Sequence, residues 1–106
     1  MPKHNFKIMF TQKAQADLEE IYSYLTINLF ADAAAEKLMQ KLENSIMRLA
    51  EFPLSCCLVL DEPLKVKGYR RLIVDNYMAL YLVDKRAKQV VIMRILYGAS
   101  NYQHIL

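Results

Sequence analysis

The sequence is short of the residues that most often mark a catalytic or cofactor site. It contains only two glycines, two histidines and two cysteines among 106 residues. So few glycines exclude a glycine-rich phosphate-binding loop. The cysteines, Cys56 and Cys57, are adjacent and have no second Cys/His pair, which excludes a zinc site and indicates reduced thiols. His4 and His104 stand in no metal-binding motif, so we expect no metal and no cofactor.

Long apolar runs are also missing. The longest uncharged apolar stretch, Met78 to Val83, is far shorter than the ~20 residues that a membrane-spanning helix needs. The first seven residues are too polar for a signal peptide, so we expect a cytoplasmic protein with no membrane partner. The composition, 55% hydrophobic and 24% charged, is typical of a soluble globular chain, and the length predicts one domain over residues 1–106.

Charge is distributed unevenly along the chain. Residues 1–64 hold six basic and nine acidic residues, a balance of −3, whereas residues 65–106 hold eight basic and two acidic residues, a balance of +6. The sequence therefore predicts an acidic half and a basic half.

The acidic half shows the periodicity of two amphipathic helices. Thr11 is predicted to cap a helix that runs from Gln12 to about Asn28, and Asp32 to cap a second helix that ends before Pro53. Apolar residues recur at steps of three and four, which predicts a helical hairpin with one apolar face. The outer face of the first helix is predicted to carry Asp17, Glu19 and Glu20.

The remaining segments have the character of β-strands. Residues 6–10 form one short predicted strand, and residues 68–98 form a meander of three strands with turns at Asp75-Asn76 and at 84–88. The order β-α-α-β-β-β predicts an α+β fold in which an antiparallel sheet is packed by the helical hairpin.

Strict alternation along the last strand would place Val90, Ile92, Arg94 and Leu96 on one face of the sheet. Both faces of this strand are largely apolar, which predicts a central position. Arg94 would then need a carboxylate, a rim or a ligand. The candidate ion-pair partners for Arg94 are Asp17, Glu20 and Asp75.

Basic residues and tyrosines are concentrated in the predicted sheet. The candidates for binding nucleic acid or a target protein are Lys65, Lys67, Arg70, Arg71, Tyr77, Arg94 and Tyr97. Such a cluster could stabilise phosphoryl charge in an RNA-cleaving site while a tyrosine or lysine moves protons. It could equally bind without chemistry, and the residue types alone do not decide between the two.

Several short motifs occur in an order that is characteristic of one superfamily. They are Asp17-Leu18-x-x-Ile21-x-x-Tyr24, Leu49-x-x-Phe52-Pro53, Tyr69-Arg70-x-Leu72, Asn76-Tyr77-x-x-x-Tyr81, Arg94-Ile95-Leu96-Tyr97-Gly98 and Asn101-Tyr102-x-x-Ile105-Leu106. Together they resemble the RelE/ParE superfamily of toxins from bacterial type II toxin–antitoxin modules. The long helical pair with its Leu-x-x-Phe-Pro ending is more similar to the ParE-like branch.

The resemblance implies a small α+β growth-inhibiting toxin that a cognate antitoxin holds inactive, with operator DNA contacted only through the antitoxin. It implies one of two targets, DNA gyrase for ParE-like members or ribosome-bound mRNA for RelE-like endoribonucleases. By resemblance, the candidates for a catalytic role in RNA cleavage are Arg70, Arg94 and Tyr102. The antitoxin is expected in a groove with an acidic rim of Asp17, Glu19 and Glu20 and a basic rim of Arg70, Arg71 and Arg94.

The chain departs from the RNA-cleaving pattern at positions where that pattern has basic residues. Met78 stands where the resemblance places a catalytic arginine, and Ala99 and Ser100 stand where two basic residues are usual. Each missing charge-stabilising group would cost roughly 3 kcal/mol in a phosphoryl transition state. These departures favour gyrase as the target over ribosomal mRNA, with a non-toxic module that binds the antitoxin and assists repression as a third hypothesis.

Overall fold

The computed structural model describes residues 5–98 of the chain. Strand β1 covers Lys7–Phe10, helix α1 covers Gln12–Ser23, and a π-helical turn continues α1 over Tyr24–Asn28. Helix α2 covers Asp32–Met47 and is followed by a 3₁₀ turn at Arg48–Ala50. A short helix α3 at Glu62–Val66 precedes the meander of β2 (Arg70–Val74), β3 (Tyr77–Asp84) and β4 (Gln89–Tyr97).

The α+β architecture agrees with the prediction, but the sheet is mixed. The strand order is β1-β4-β3-β2, and the three meander strands are antiparallel as expected. Strand β1, however, pairs in parallel with β4. The reason is topological, because the α1–α2 hairpin and the first two meander strands separate β1 from β4 along the chain and allow either direction.

The helices lie on one face of the sheet and bury the main core against it. Ala14, Leu38, Leu42, Ile46 and Leu49 come from the helical segments and pack against residues of β2, β3 and β4. The sheet residues of this core are Val74, Ala79, Tyr81, Val90, Ile92 and Ile95. A smaller cluster on the other face packs residues 59–69 against the sheet, and it contains Val59, Leu64, Tyr69, Met78, Leu80 and Leu96.

The ends of the helices match the sequence prediction in part. Thr11 caps α1 as expected, since its Oγ1 accepts a hydrogen bond of 3.0 Å from the Ala14 N–H. Asp32 is not the cap of α2 but its first residue, and Ala31 occupies the cap position without a side-chain bond. Helix α3 is too short for periodicity to reveal it. It begins after Asp61, whose side chain accepts a hydrogen bond from the Leu64 N–H.

A β-bulge corrects the predicted face assignment in β4. The register pairs Leu80 with Arg94 but Tyr81 with Ile92, so Met93 is the extra residue. Val90 and Ile92 therefore share the helix-covered face with Ile95, not with Arg94 as strict alternation predicts. The position of β4 between β1 and β3 confirms the prediction that this strand is central.

Thr11 also joins α1 to the bulged strand. In addition to its capping bond, its Oγ1 donates a hydrogen bond of 2.9 Å to the Met93 carbonyl. We expect Thr11→Ala to lower the free energy of unfolding by about 1–2 kcal/mol, because both the cap and the bond to β4 are lost. Urea unfolding followed by circular dichroism measures the change.

Thr26→Ala is the matched control, since the Thr26 hydroxyl is near the surface and bonds only to carbonyls of its own helix. Its effect should stay below about 0.5 kcal/mol. Equal losses in the two variants would show that Thr11 does not hold α1 to β4.

Candidate functional site

A cleft of about 910 Å³ opens between the helical hairpin and the ends of β3 and β4. One wall is apolar and comes from the hairpin, with Ile21, Leu25, Leu29 and Leu38. The opposite wall comes from the β2–β3 turn and β4, with Asn76, Tyr77, Ile95 and Tyr97. Its volume and apolar lining suit an extended or helical peptide with apolar anchors.

Charged groups occupy the end of this cleft where α1 crosses β4. Strand β1 pairs with β4 only as far as Ile92, and within residues 5–98 no other strand lies beside the following edge of β4. The Asp17 carboxylate lies against that edge and accepts a hydrogen bond of 2.9 Å from the backbone N–H of Ile95. A side chain of α1 thus takes up a backbone donor on this edge of the sheet.

The same carboxylate binds Arg94 in a bidentate pair. The distances are 2.7 Å from Nε to Oδ2 and 2.9 Å from the terminal nitrogen to Oδ1. The hydrogen bond that Arg94 donates to Asp17 raises the pKa of Arg94 above its usual value, against the opposing effect of desolvation. Asp17 is one of the three partners predicted for Arg94, and this pair confirms it.

Asp17 itself is misplaced in the sequence prediction. It is only 8% exposed, whereas the sequence prediction places it on the outer face of α1 with Glu19 and Glu20, which are exposed. A usable signal was present, because Asp17 follows Ala14 by three residues and precedes Ile21 by four. That spacing puts it on the apolar stripe, where a carboxylate needs a partner.

Two tyrosines close the other end of the sheet-side wall. The rings of Tyr77 and Tyr97 lie 5.3 Å apart in an edge-to-face arrangement. Burial, followed by the neighbouring hydroxyls of Tyr97 and Tyr24, raises the pKa of Tyr77. Tyr77 is therefore a neutral hydrogen-bonding group at physiological pH and is poorly suited to act as a base.

The structure brings three of the predicted binding residues together and separates the others from them. Tyr77, Arg94 and Tyr97 line the cleft, whereas Lys65, Lys67, Arg70 and Arg71 do not. Arg70 lies at the other end of β2 from the residue that pairs with Tyr77, and its guanidinium donates a 2.6 Å hydrogen bond to the Cys56 carbonyl. Lys65 and Lys67 are exposed around α3.

The cleft rim consequently differs from the expected one. Arg94 is the basic residue in its lining, while Asp17, Glu20 and Asp75 are the acidic ones. Asp75 is itself held by Lys41, with 3.2 Å between Nζ and the carboxylate. A basic rim that includes Arg70 and Arg71 is therefore wrong for this cleft, because both residues lie at the end of β2 away from Val74, the residue that pairs with Tyr77.

Other predicted features bear on catalysis and metals. Met78 is 3% exposed and belongs to the cluster on the face away from the helices. Residues 5–98 contain no group of three or more His, Cys, Asp or Glu side chains that could hold a metal ion. No helix in this range has the length and apolar character of a membrane span. Tyr102, Ala99, Ser100, His4 and His104 lie outside the described residues.

The apolar end of the hairpin was not identified from the sequence. Tyr24, Ile27, Leu29 and Phe30 are all more than half exposed, and Phe30 reaches 86%. Periodicity could not find this feature, because the π-helical turn and the left-handed backbone of Phe30 interrupt the helical repeat.

Comparison with known proteins gives the context of the fold and the cleft. The sequence matches the family model described as the ParE toxin of the type II toxin–antitoxin system parDE over residues 8–102. No curated protein matches the chain at the level of its sequence.

Two solved structures are similar to the chain over most of its length. A chain of the chromosomal ParDE toxin–antitoxin system from P. aeruginosa has 26% identity and a TM-score of 0.72, with 91% of this chain and 99% of that chain covered. A chain of the RelBE2 toxin–antitoxin complex from Mycobacterium tuberculosis has 21% identity and a TM-score of 0.59, with 88% and 98% covered. At 21% identity, the similarity to the RelBE2 chain shows a shared fold and nothing more.

Proposed function

This chain belongs to the ParE toxin family of type II toxin–antitoxin systems, and we propose that a cognate antitoxin neutralises it and that its target is DNA gyrase. The observation that carries the choice of target is the burial of Met78. An RNA-cleaving relative is expected to present an arginine at this position, but here the side chain packs into the smaller core cluster and cannot reach a substrate.

The remaining cationic candidates support the same choice. Arg94 is held by both oxygens of Asp17, and Arg70 is bonded to the Cys56 carbonyl at the far end of β2. A phosphoryl-transfer site needs several cationic donors converging on one point, and these two residues do not converge. Binding to a protein target requires no such arrangement.

The cleft is the surface that best fits the antitoxin. Its walls offer apolar pockets to a segment that orders on binding, and Tyr77, Asn76 and Tyr97 add polar groups at one end. Support also comes from the ParDE and RelBE2 structures, which are toxin–antitoxin assemblies by their descriptions. We further propose that the protein acts in the bacterial cytoplasm and contacts operator DNA only through its antitoxin.

The target is tested by inducing the toxin alone in bacteria and following both candidate targets. We expect growth to stop and to resume when the antitoxin is co-expressed. Purified toxin should inhibit DNA supercoiling by gyrase, and primer extension on transcripts should detect no codon-specific cuts, because Met78 cannot supply the missing cation. Ribosome-dependent mRNA cleavage with unaffected supercoiling would show that the target is ribosomal mRNA and not gyrase. Normal growth with soluble protein would indicate a non-toxic antitoxin-binding module.

A further inference from the structure

The outer tip of the α1–α2 hairpin has an unusual concentration of exposed apolar side chains. Ile27 is 68% exposed and Phe30 is 86% exposed, and neither lines the cleft. We define these two residues as the hairpin tip. An apolar pair this fully exposed to water at the turn of a helical hairpin is a candidate for a protein–protein contact.

The backbone of the tip is held in a rare conformation. The Leu29 N–H bonds to the Tyr24 carbonyl at 3.2 Å, which is the five-residue step of a π-helix. Phe30 then adopts a φ of +50°, a left-handed value that bulky residues rarely take. Such geometry costs free energy and concentrates at functional sites. Here it directs a phenyl ring into solvent, where it contributes nothing to the core.

The charges around the tip identify the chemistry of its partner. Between Lys13 and Lys37 the sequence has no lysine or arginine, while it has five acidic residues. They are Asp17, Glu19, Glu20, Asp32 and Glu36. Asp17 is used internally by Arg94, but Glu19, Glu20, Asp32 and Glu36 are exposed. The tip is therefore an apolar pair on an acidic stretch of chain without lysine or arginine, and the exposed Asp32 stands two residues from Phe30.

We infer that the hairpin tip is the surface that docks on gyrase, with Ile27 and Phe30 entering an apolar pocket that positively charged residues surround. This inference rests on the proposed target. An enzyme that holds DNA presents positively charged surfaces, and this acidic stretch would bring the tip to them and fix its orientation. The cleft remains available to the antitoxin, because neither Ile27 nor Phe30 lines it.

The test compares two double variants of the full chain in binding to immobilised gyrase. Ile27→Ser with Phe30→Asn removes the tip, and asparagine tolerates the left-handed backbone at position 30. Leu60→Ser with Val66→Ser is the matched control, since these side chains are 75% and 79% exposed and lie on the segment around α3. We expect the tip variant to bind gyrase at least about tenfold more weakly and the control to bind within twofold of the wild type.

A charge variant tests the acidic stretch separately. Asp32→Asn, next to the tip, should slow association several-fold at low salt and much less at high salt, whereas Glu51→Gln, exposed at the other end of the hairpin, should not. Antitoxin affinity is measured for every variant and should remain within twofold, which shows that the cleft and the fold are intact.

The outcomes separate this inference from the proposed function. Wild-type and tip variant binding gyrase equally would overturn the inference and leave gyrase as the target. Wild-type protein that does not bind gyrase would overturn both. If the tip variant instead loses antitoxin affinity, or if light scattering shows that it abolishes an association between copies of the toxin, the tip serves another partner and the inference is wrong.

Discussion

Replacing the buried Asp17 by alanine is expected to lower the free energy of unfolding by about 3 kcal/mol, the largest loss that we expect for a single carboxylate within residues 5–98. The substitution removes both bonds to Arg94 and the acceptor for the Ile95 N–H at once. Arg94 would keep a largely desolvated charge, and the edge of β4 would lose the group that takes up its backbone donor. Urea unfolding followed by circular dichroism measures the loss.

Two further variants separate the contributions of charge and hydrogen bonding. Asp17→Asn keeps an acceptor for the Ile95 N–H and should recover part of the loss. Arg94→Met combined with Asp17→Asn removes both charges, so the double variant should be more stable than the sum of the single changes predicts. Glu19→Gln, on the exposed side of the same helix, is the control and should change stability by less than about 0.5 kcal/mol. Strict additivity would contradict a coupled pair.

Replacing Leu29 by aspartate is expected to weaken antitoxin binding by about thirtyfold while the toxin stays folded. Leu29 lines the cleft but is 52% exposed in the free protein, so its substitution costs the core little. In a complex the carboxylate would face apolar side chains of the antitoxin and lose its hydration without a partner. Isothermal titration with the purified antitoxin measures the change, and thermal unfolding verifies the fold.

Leu60→Asp is the matched control for this change, because Leu60 is exposed but lies outside the cleft. It should leave antitoxin affinity within twofold of the wild type. In cells, Leu29→Asp should make growth arrest harder to reverse by antitoxin co-expression. If the Leu29 variant binds the antitoxin with unchanged affinity, the antitoxin binds a surface other than the cleft.

The order of the four strands and the two long helices, without the short helix α3, and the family resemblance followed from the sequence alone. The steps of three and four in the helices, the β-branched meander and the turn at Asp75-Asn76 are local signals, and each gave the correct element. Thr11 could be identified as a cap because capping depends on a side chain and its own following turn. The predicted ion pair of Arg94 rested on a similarly general rule, that a charge within a central strand needs a partner.

Only the tertiary structure decided how these elements meet. The parallel direction of β1 and the hydrogen bond from the β4 edge to Asp17 depend on contacts between residues about 80 positions apart, and the bulge at Met93 depends on the register between β3 and β4. No local periodicity records any of the three. The contact with Asp17 holds Arg94 at the cleft, whereas the antiparallel pairing of β2 with β3 puts Arg70 at the end of β2 away from Tyr77. Sequence therefore determined which side chains were available, and the packing of α1 against the bulged strand determined which of them share a site.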